Sequence, residues 1–311
     1  MPDWLPMSGI RVVVPASTAN LGAGFDVLAM ALQLYLSLEV RPAEPACQGV
    51  AFRDGLSTEL ASAGAKVARD AMAVGLRLAG RDGLGYELQV ESQIPLARGL
   101  GSSAALRVAC LMAAGSMGES IPRVSLAQEA ALLDGHPDNS TAALEGGLVV
   151  TASCSGVLRW GKLPVRDSLV AVLAIPDMAI LTEQSRNSLP RTVPMADAVF
   201  NLGRTALFVY AIAQGRFDLL MAAMEDRLHQ GSRVASIPGA AKAMEAAREA
   251  GAKGVALSGS GPSVLALCDR TEGKEGPVAS AMATAFTRAG LLVECLTLAA
   301  DNIGARVESL R

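Results

Sequence analysis

A chain of 311 residues, 51% hydrophobic, 18% charged and only 4% aromatic, is long enough for roughly two ordinary domains with cores of Ala, Leu and Val rather than rings. A formal net charge of −3 with its 27 Lys and Arg scattered along the chain excludes a basic nucleic-acid-binding face, and no apolar run reaches the ~18 residues of a membrane span. The first residues lack a basic region followed by an apolar core, so a cytoplasmic protein is expected. The five cysteines form no Cys-x-x-Cys pair and are expected to be buried free thiols.

In chain order, residues 10–14 predict a strand ending at Pro15. It enters Ala-Ser-Thr-Ala-Asn-Leu-Gly-Ala-Gly-Phe-Asp at 16–26, a loop that sets Asn20 and Asp26 on either side of two glycines. Alternation over 34–40 predicts a half-buried strand, the Ala-rich 59–78 a helix, and 86–91 a strand. Pro-Leu-Ala-Arg-Gly-Leu-Gly-Ser-Ser-Ala-Ala at 95–105 then runs directly into an apolar helical series. Here Gly99 and Gly101 let the backbone approach a ligand, and Ser102 and Ser103 stand on a first helical turn whose amides have no intrahelical acceptor. The product is an anion site suited to phosphate.

Further on, Pro122 with Ser125 and Gln128 predicts a capping box opening a helix over 126–133, with Glu129 inside it. A polar loop, Asp-Gly-His-Pro-Asp-Asn-Ser-Thr, follows at 134–141, then strands at 148–152 and 157–160. Residues 1–163 thus read as one α+β domain. Residues 164–311 give strand 169–175, helix 196–214, a further helical region, helix 239–250, strands 255–257 and 264–267, helix 278–289 and strand 291–298. That order is similar to a split β-α-β, ferredoxin-like sandwich with an inserted helix or two.

Several chemistries fail on residue type. No Gly-Lys-Ser or Gly-Lys-Thr exists for a Walker loop. Gly99, Gly101 and Ala104 fit a dinucleotide pattern, but Pro95 and further residues separate strand from glycine, and Glu119 precedes Pro122 instead of ending a second strand. Two histidines, His136 and His229, cannot build a zinc cluster, and no nucleophile elbow follows a strand. Gly259-Ser260-Gly261 reads equally as a hairpin turn or a ligand-facing one. Phosphoryl transfer needs an anion cradle, a metal held by carboxylate and hydroxyl, and a group orienting the acceptor; Ser102, Ser103, Glu129 and Asp138 are candidates for these parts.

Pro-x-x-x-Gly-Leu-Gly-Ser-Ser-Ala-Ala at 95–105 resembles the phosphate loop of the GHMP kinases. The stretch from Pro15 to Asp26 resembles the amino-terminal motif of the homoserine kinase branch, and Ser258-Gly259-Ser260-Gly261-Pro262 the family's third motif. His136-Pro137-Asp138-Asn139, with Glu129 nine residues before Asp138, Thr182-x-x-x-Arg186, and Asp226-Arg227-Leu228-His229 leading to Arg233 resemble further family segments.

The resemblance implies the two-domain GHMP kinase fold: a ribosomal-S5-like α+β domain, then a ferredoxin-like α/β sandwich. It implies ATP and Mg²⁺, with Pro95, Arg98, Gly99, Leu100, Gly101, Ser102, Ser103 and Ala104 holding the nucleotide and Ser103 with Glu129 the metal. L-homoserine would meet Asn20, Asp26, His136, Asp138, Thr182, Arg186, Arg233 and Gly259, with Asp138 and Asn139 at the reacting hydroxyl. Two arginines on a carboxylate and two carboxylates at the ammonium and hydroxyl ends suit a zwitterion. The resemblance calls for no nucleic-acid or membrane partner and admits a homodimer. Ala29, Gly231-Ser232 and the segment after Asn139 depart from the homoserine pattern, which keeps threonine, shikimate or mevalonate open as acceptors, and a silent nucleotide-binding regulator open as another class.

Overall fold

The computed structural model describes residues 9–45, 47–53, 57–180, 182–187 and 189–310. Strand β1 (Ile10–Ala19) does not stop at Pro15: its pairing with β2 (Leu28–Pro42) slips between Pro15 and Ala16 and then resumes. Proline has no N–H for the ladder, and a register shift absorbs that loss without ending the strand. β2 therefore runs well beyond the expected 34–40.

Two edge strands escaped the sequence reading. β3 (Gln48–Phe52) lies parallel to β4 (Tyr86–Ser92), from which α1 (Thr58–Leu78) separates it in sequence. α1 opens on Ser57, whose Oγ accepts the Leu60 amide, and carries Glu59 in its first turn and Arg77 in its last, matching the helix dipole at both ends.

α2 (Ser102–Gly115) packs against α1 and β1. α3 (Arg123–Asp134) starts three residues before the expected 126 on Pro122, and no capping box forms: Gln128 Oε1 instead accepts the Leu158 amide at 2.8 Å. The polar stretch 134–141 is not all loop, because Asp138 begins α4 (Asp138–Glu145). Strands β5 (Leu148–Cys154) and β6 (Val157–Leu163) complete a hairpin attached to β2.

Past residue 163 the chain enters β7 (Leu169–Pro176), whose eight residues are all buried. α5 (Thr182–Asn187), α6 (Met195–Gln214), α7 (Leu220–Ala223), α8 (Gln230–Ala235) and α9 (Ala240–Glu249) precede β8 (Gly254–Leu257) and β9 (Val264–Asp269). Then come α10 (Glu275–Arg288) and β10 (Val293–Ala299). These four strands order as β10-β7-β9-β8, all antiparallel, which is the ferredoxin-like arrangement.

β7 explains how the two sheets share one body. Its Leu169, Ala171, Leu173 and Ile175 join the core that runs into the first sheet, while Val170, Val172 and Ala174 face α9 and α10. A strand buried on both faces needs an unbroken apolar run, and each fully buried Leu or Val there contributes roughly 1.5–3 kcal/mol. The last strand, β11 (Arg306–Ser309), leaves the second unit to pair with β1, so the chain's end closes the edge of the first sheet.

All five cysteines are free, but only Cys110 and Cys268 are fully buried and Cys154 is exposed at the end of β5, where the apolar run gives out. No described helix is long and apolar enough to cross a membrane.

Candidate active site

Three small-residue segments distant in sequence interlock at the junction of the two sheets. Gly101 caps α2 in the left-handed region (φ 70°) with no side-chain cap bond, which leaves the first-turn amides of α2 open. Ser258 Oγ donates to the Gly99 carbonyl at 2.6 Å and lies 2.9 Å from Thr18 Oγ1; Ser263 Oγ donates to the Arg98 carbonyl at 2.6 Å. Asn20 Nδ2 donates to the Gly259 carbonyl at 2.9 Å, and the Gly259 amide to the Ala19 carbonyl at 3.1 Å. Small side chains are required because backbone meets backbone here.

One cavity opens over this junction. Of the expected site residues whose side chains are described, all line it except Glu129. Thr182 opens α5, and its side chain lies outside the described residues. Glu129 sits part-buried on α3, away from the cavity lining.

The charges pair in ways that residue spacing does not encode. Asp26 and Arg186 form a two-pronged ion pair, both N–O distances 2.8 Å. Hydrogen bonding to Asp26 raises the Arg186 pKa against the pull of burial. The Asp26 amide donates to Asn20 Oδ1, so the loop end that carries the carboxylate is itself anchored.

Across the cavity, α3 ends at Asp134 and Gly135 turns left-handed (φ 80°), which brings His136 between two carboxylates. His136 Nδ1 lies 2.8 Å from Asp138 Oδ1 and 3.7 Å from Asp134 Oδ2. Burial opposes charge on this ring, but the Asp138 hydrogen bond and the charges of Asp138, Asp134 and Asp26 outweigh it and raise its pKa. Burial likewise pushes the Asp134 carboxyl up, against His136 and Arg107. Asp138, 2% exposed, also accepts the Asn139 amide at 2.7 Å, and Asn139 Oδ1 accepts Ser17 Oγ at 2.8 Å.

Asp134 and Arg107 were missed from sequence. Arg107, one turn along α2 from Ser103, donates to both Ser103 Oγ and Asp134 Oδ1. The alternation Asp134-x-His136-x-Asp138 was the available signal. The carboxylate linked to Ser103 through Arg107 is thus Asp134, five residues along from the expected Glu129; among the described residues no three His, Cys, Asp or Glu converge as a metal centre. Ile180 and Ser260 also line the cavity.

Comparison with known proteins adds a second line of observation. The family described as GHMP kinases N terminal domain matches residues 59–147, and GHMP kinases C terminal matches residues 208–287. A curated homoserine kinase of Moorella thermoacetica is 41% identical over 297 residues, 95% of this chain and 99% of that protein. One from Caldicellulosiruptor saccharolyticus is 40% identical, covering 97% of each. The crystal structure of homoserine kinase from Cytophaga hutchinsonii superposes with a TM-score of 0.86 at 28% identity, over 97% of this chain and 98% of that one.

Proposed function

The chain belongs to the GHMP kinase family, and on that premise we propose that it transfers the γ-phosphoryl group of ATP to the side-chain hydroxyl of L-homoserine, giving O-phospho-L-homoserine on the way to threonine, as a cytoplasmic enzyme. One observation carries the reading: a single cavity is lined both by the glycine turn at the start of α2 and by Asp26, Arg186, Asp138 and Arg233. A phosphate cradle next to paired charges of both signs suits a zwitterionic alcohol. The relatives that match nearly end to end carry the same name, homoserine kinase.

In this reading the open amides of α2, with Gly99, Gly101 and Ser102, hold the phosphates where the helix dipole favours anions. Pro95, Leu100 and Ala104 shape that turn, and Arg98, tied to Asp177 at 2.9 Å, braces it. Ser103 on the cavity wall and Glu129 on α3, outside its lining, are the hydroxyl and carboxylate assigned to Mg²⁺; by donor type they suit a hard ion that takes one or two protein oxygens and completes its shell with phosphate and water. An ion held there would supply neutralisation of the phosphate charge.

Arg186 and Arg233 grip the amino acid's carboxylate, and Asp26 its ammonium; the Asp26–Arg186 pair is exchanged for the two ends of the substrate. Asn20 and Gly259 wall this side, and Thr182 is assigned to the acceptor by resemblance. Asp138 and Asn139 orient the hydroxyl towards the γ-phosphate, with His136 fixing the Asp138 carboxylate. Catalysis is then mainly positioning and charge stabilisation.

The test is ADP release with homoserine, threonine, serine, shikimate and mevalonate in parallel. Homoserine should give the highest kcat/KM; preference for another alcohol would remove the acceptor assignment and leave the kinase, while ATP binding without turnover of any would point to a regulator. For the metal, Glu129→Gln should lower kcat and raise the Mg²⁺ concentration at half-maximal rate by about tenfold, the usual loss for one altered ligand contact. A magnesium titration that overlays the wild-type curve removes Glu129 from the metal.

A further inference from the structure

Arg233 is a buried cation in search of an anion. It is 3% exposed, its Nε has no hydrogen-bond partner, and its bonds run from Nη1 to two neutral acceptors, His229 Nδ1 at 3.0 Å and the Gly259 carbonyl at 3.4 Å. Burial and the charge of Arg186 both work against its protonated form. The charges of Asp26, Asp226 and Asp138 favour it and the Phe25 ring lies 5.3 Å away, but no carboxylate bonds it among the described residues; a buried guanidinium without a bonded anion is expensive, so something must hold it at the cavity wall.

His229 is built for that task. It is 1% exposed, and its ring stacks on Phe25 with centroids 5.1 Å apart. Its Nε2 lies 2.8 Å from the Gly22 carbonyl. A carbonyl only accepts, so Nε2 carries the hydrogen, and Nδ1 of the neutral ring is left as the acceptor for Arg233. A protonated ring would put two N–H donors and two cations face to face at 3.0 Å.

The surrounding charges agree with a neutral ring. The Asp226 carboxylate, in the turn before α8 and 3.8 Å from Nε2, is engaged by the amides of Leu228, His229 and Gln230 and by Asn201 Nδ2. Asp26, from the loop between β1 and β2, is paired with Arg186, and Arg233 itself faces the ring from α8. Burial outweighs the attraction of Asp226 and holds the His229 pKa below its ordinary value.

We propose that His229 is a positioning residue for the acceptor: its Nε2–H tautomer, clamped to the Gly22 carbonyl, presents Nδ1 to Arg233 and holds the guanidinium at the cavity as the partner of the acceptor's carboxylate. This rests on the reading of the site as a homoserine-phosphorylating one. It also links the first loop, through Gly22 and Phe25, to the start of α8.

The experiment compares His229→Leu, which removes the acceptor, with His229→Asn, whose amide oxygen can replace Nδ1. Losing one charge-assisted hydrogen bond should raise the homoserine KM of His229→Leu about tenfold or more, with the ATP KM within about twofold of wild type. His229→Asn should recover most of that loss. Melting temperatures that fall while both KM values stay at wild type would overturn the proposal, because packing alone would then account for the residue.

Nitrogen NMR of the wild-type protein at neutral pH reads the tautomer directly, with only two histidines to assign. A protonated Nδ1 on His229 overturns the proposal even if neither variant folds, and a bare Nδ1 supports it. Wild-type turnover of homoserine is scored separately: its absence defeats the proposed acceptor, while the tautomer still reports on the His229–Arg233 pair.

Discussion

Alanine at Gly99 is expected to weaken both the fold and ATP binding. Gly99 has a φ of 76°, and an added Cβ would lie 2.2 Å from the Ser258 carbonyl oxygen and 2.9 Å from that of Gly261. Both obstacles are backbone. The Ser258 carbonyl also accepts the Gly261 amide at 2.9 Å, and Ser258 Oγ is bonded to Gly99 itself, so neither segment can swing aside. A left-handed non-glycine residue costs roughly 1–2 kcal/mol and overpacking adds about 1–3, together about 2–5 kcal/mol. In a chain of this size that is a fall of roughly 3–8 °C in Tm.

The glycine turn must separate from the 258–261 turn to relieve the clash, and a shift of about 1 Å in a positioning element is enough to raise the ATP KM tenfold or more. Thermal denaturation and initial rates at varied ATP measure both. Gly83→Ala is the control: its φ is 79° but nothing lies within 4 Å of the added Cβ, so only the backbone cost applies and the ATP KM should not move. Equal ATP KM values in the two variants would detach the glycine turn from the nucleotide.

Asp138→Asn should be the most damaging isosteric change at the acceptor end. The carboxylate is buried and held by His136 and the Asn139 amide. Removing its charge while keeping its shape should lower kcat by about 10²–10³, the range for a lost orienting or proton-accepting group, with the ATP KM little changed. A variant with wild-type kcat would exclude Asp138 from the reaction.

The same substitution has a signature in the protein alone. The folded-state pKa of His136 lies above its ordinary 6.5, so the folded state binds the proton more tightly than the unfolded chain does. The resulting stability is fully present below pH 6.5 and is lost as pH rises through the raised folded value. In Asp138→Asn the nearest charge that raises it is gone, and an amide oxygen is at best a neutral acceptor for the ring. Melting temperatures followed from about pH 5.5 to 8.5 should decline above 6.5 in the wild type and much less in the variant; parallel curves would mean that Asp138 does not sustain the charge on His136.

The glycine turn was legible because its features are local: glycines at left-handed positions and hydroxyls on the next helical turn. The alternating and unbroken apolar runs marked β4 and β7 for the same reason, since periodicity is a property of neighbours in sequence. Edge strands β3 and β11 were not legible. Each is short, and what makes it a strand is the hydrogen-bonding edge of β4 or β1 that another part of the chain supplies. Proline at 15 misled in the opposite sense, because a two-strand register shift tolerates what a lone strand does not.

Residue type and spacing by themselves marked a glycine turn of the phosphate-loop pattern, a His-x-Asp-Asn segment and two later arginines, and placed the chain among the kinases that share them. Tertiary structure alone decided which charges meet. Asp26 pairs with Arg186 across 160 positions of sequence, and Arg107 reaches Asp134 across 27. Whether an arginine ends beside a carboxylate, as Arg186 does, or beside a neutral imidazole, as Arg233 does, depends on which loops the two sheets press together. No local pattern carries that information.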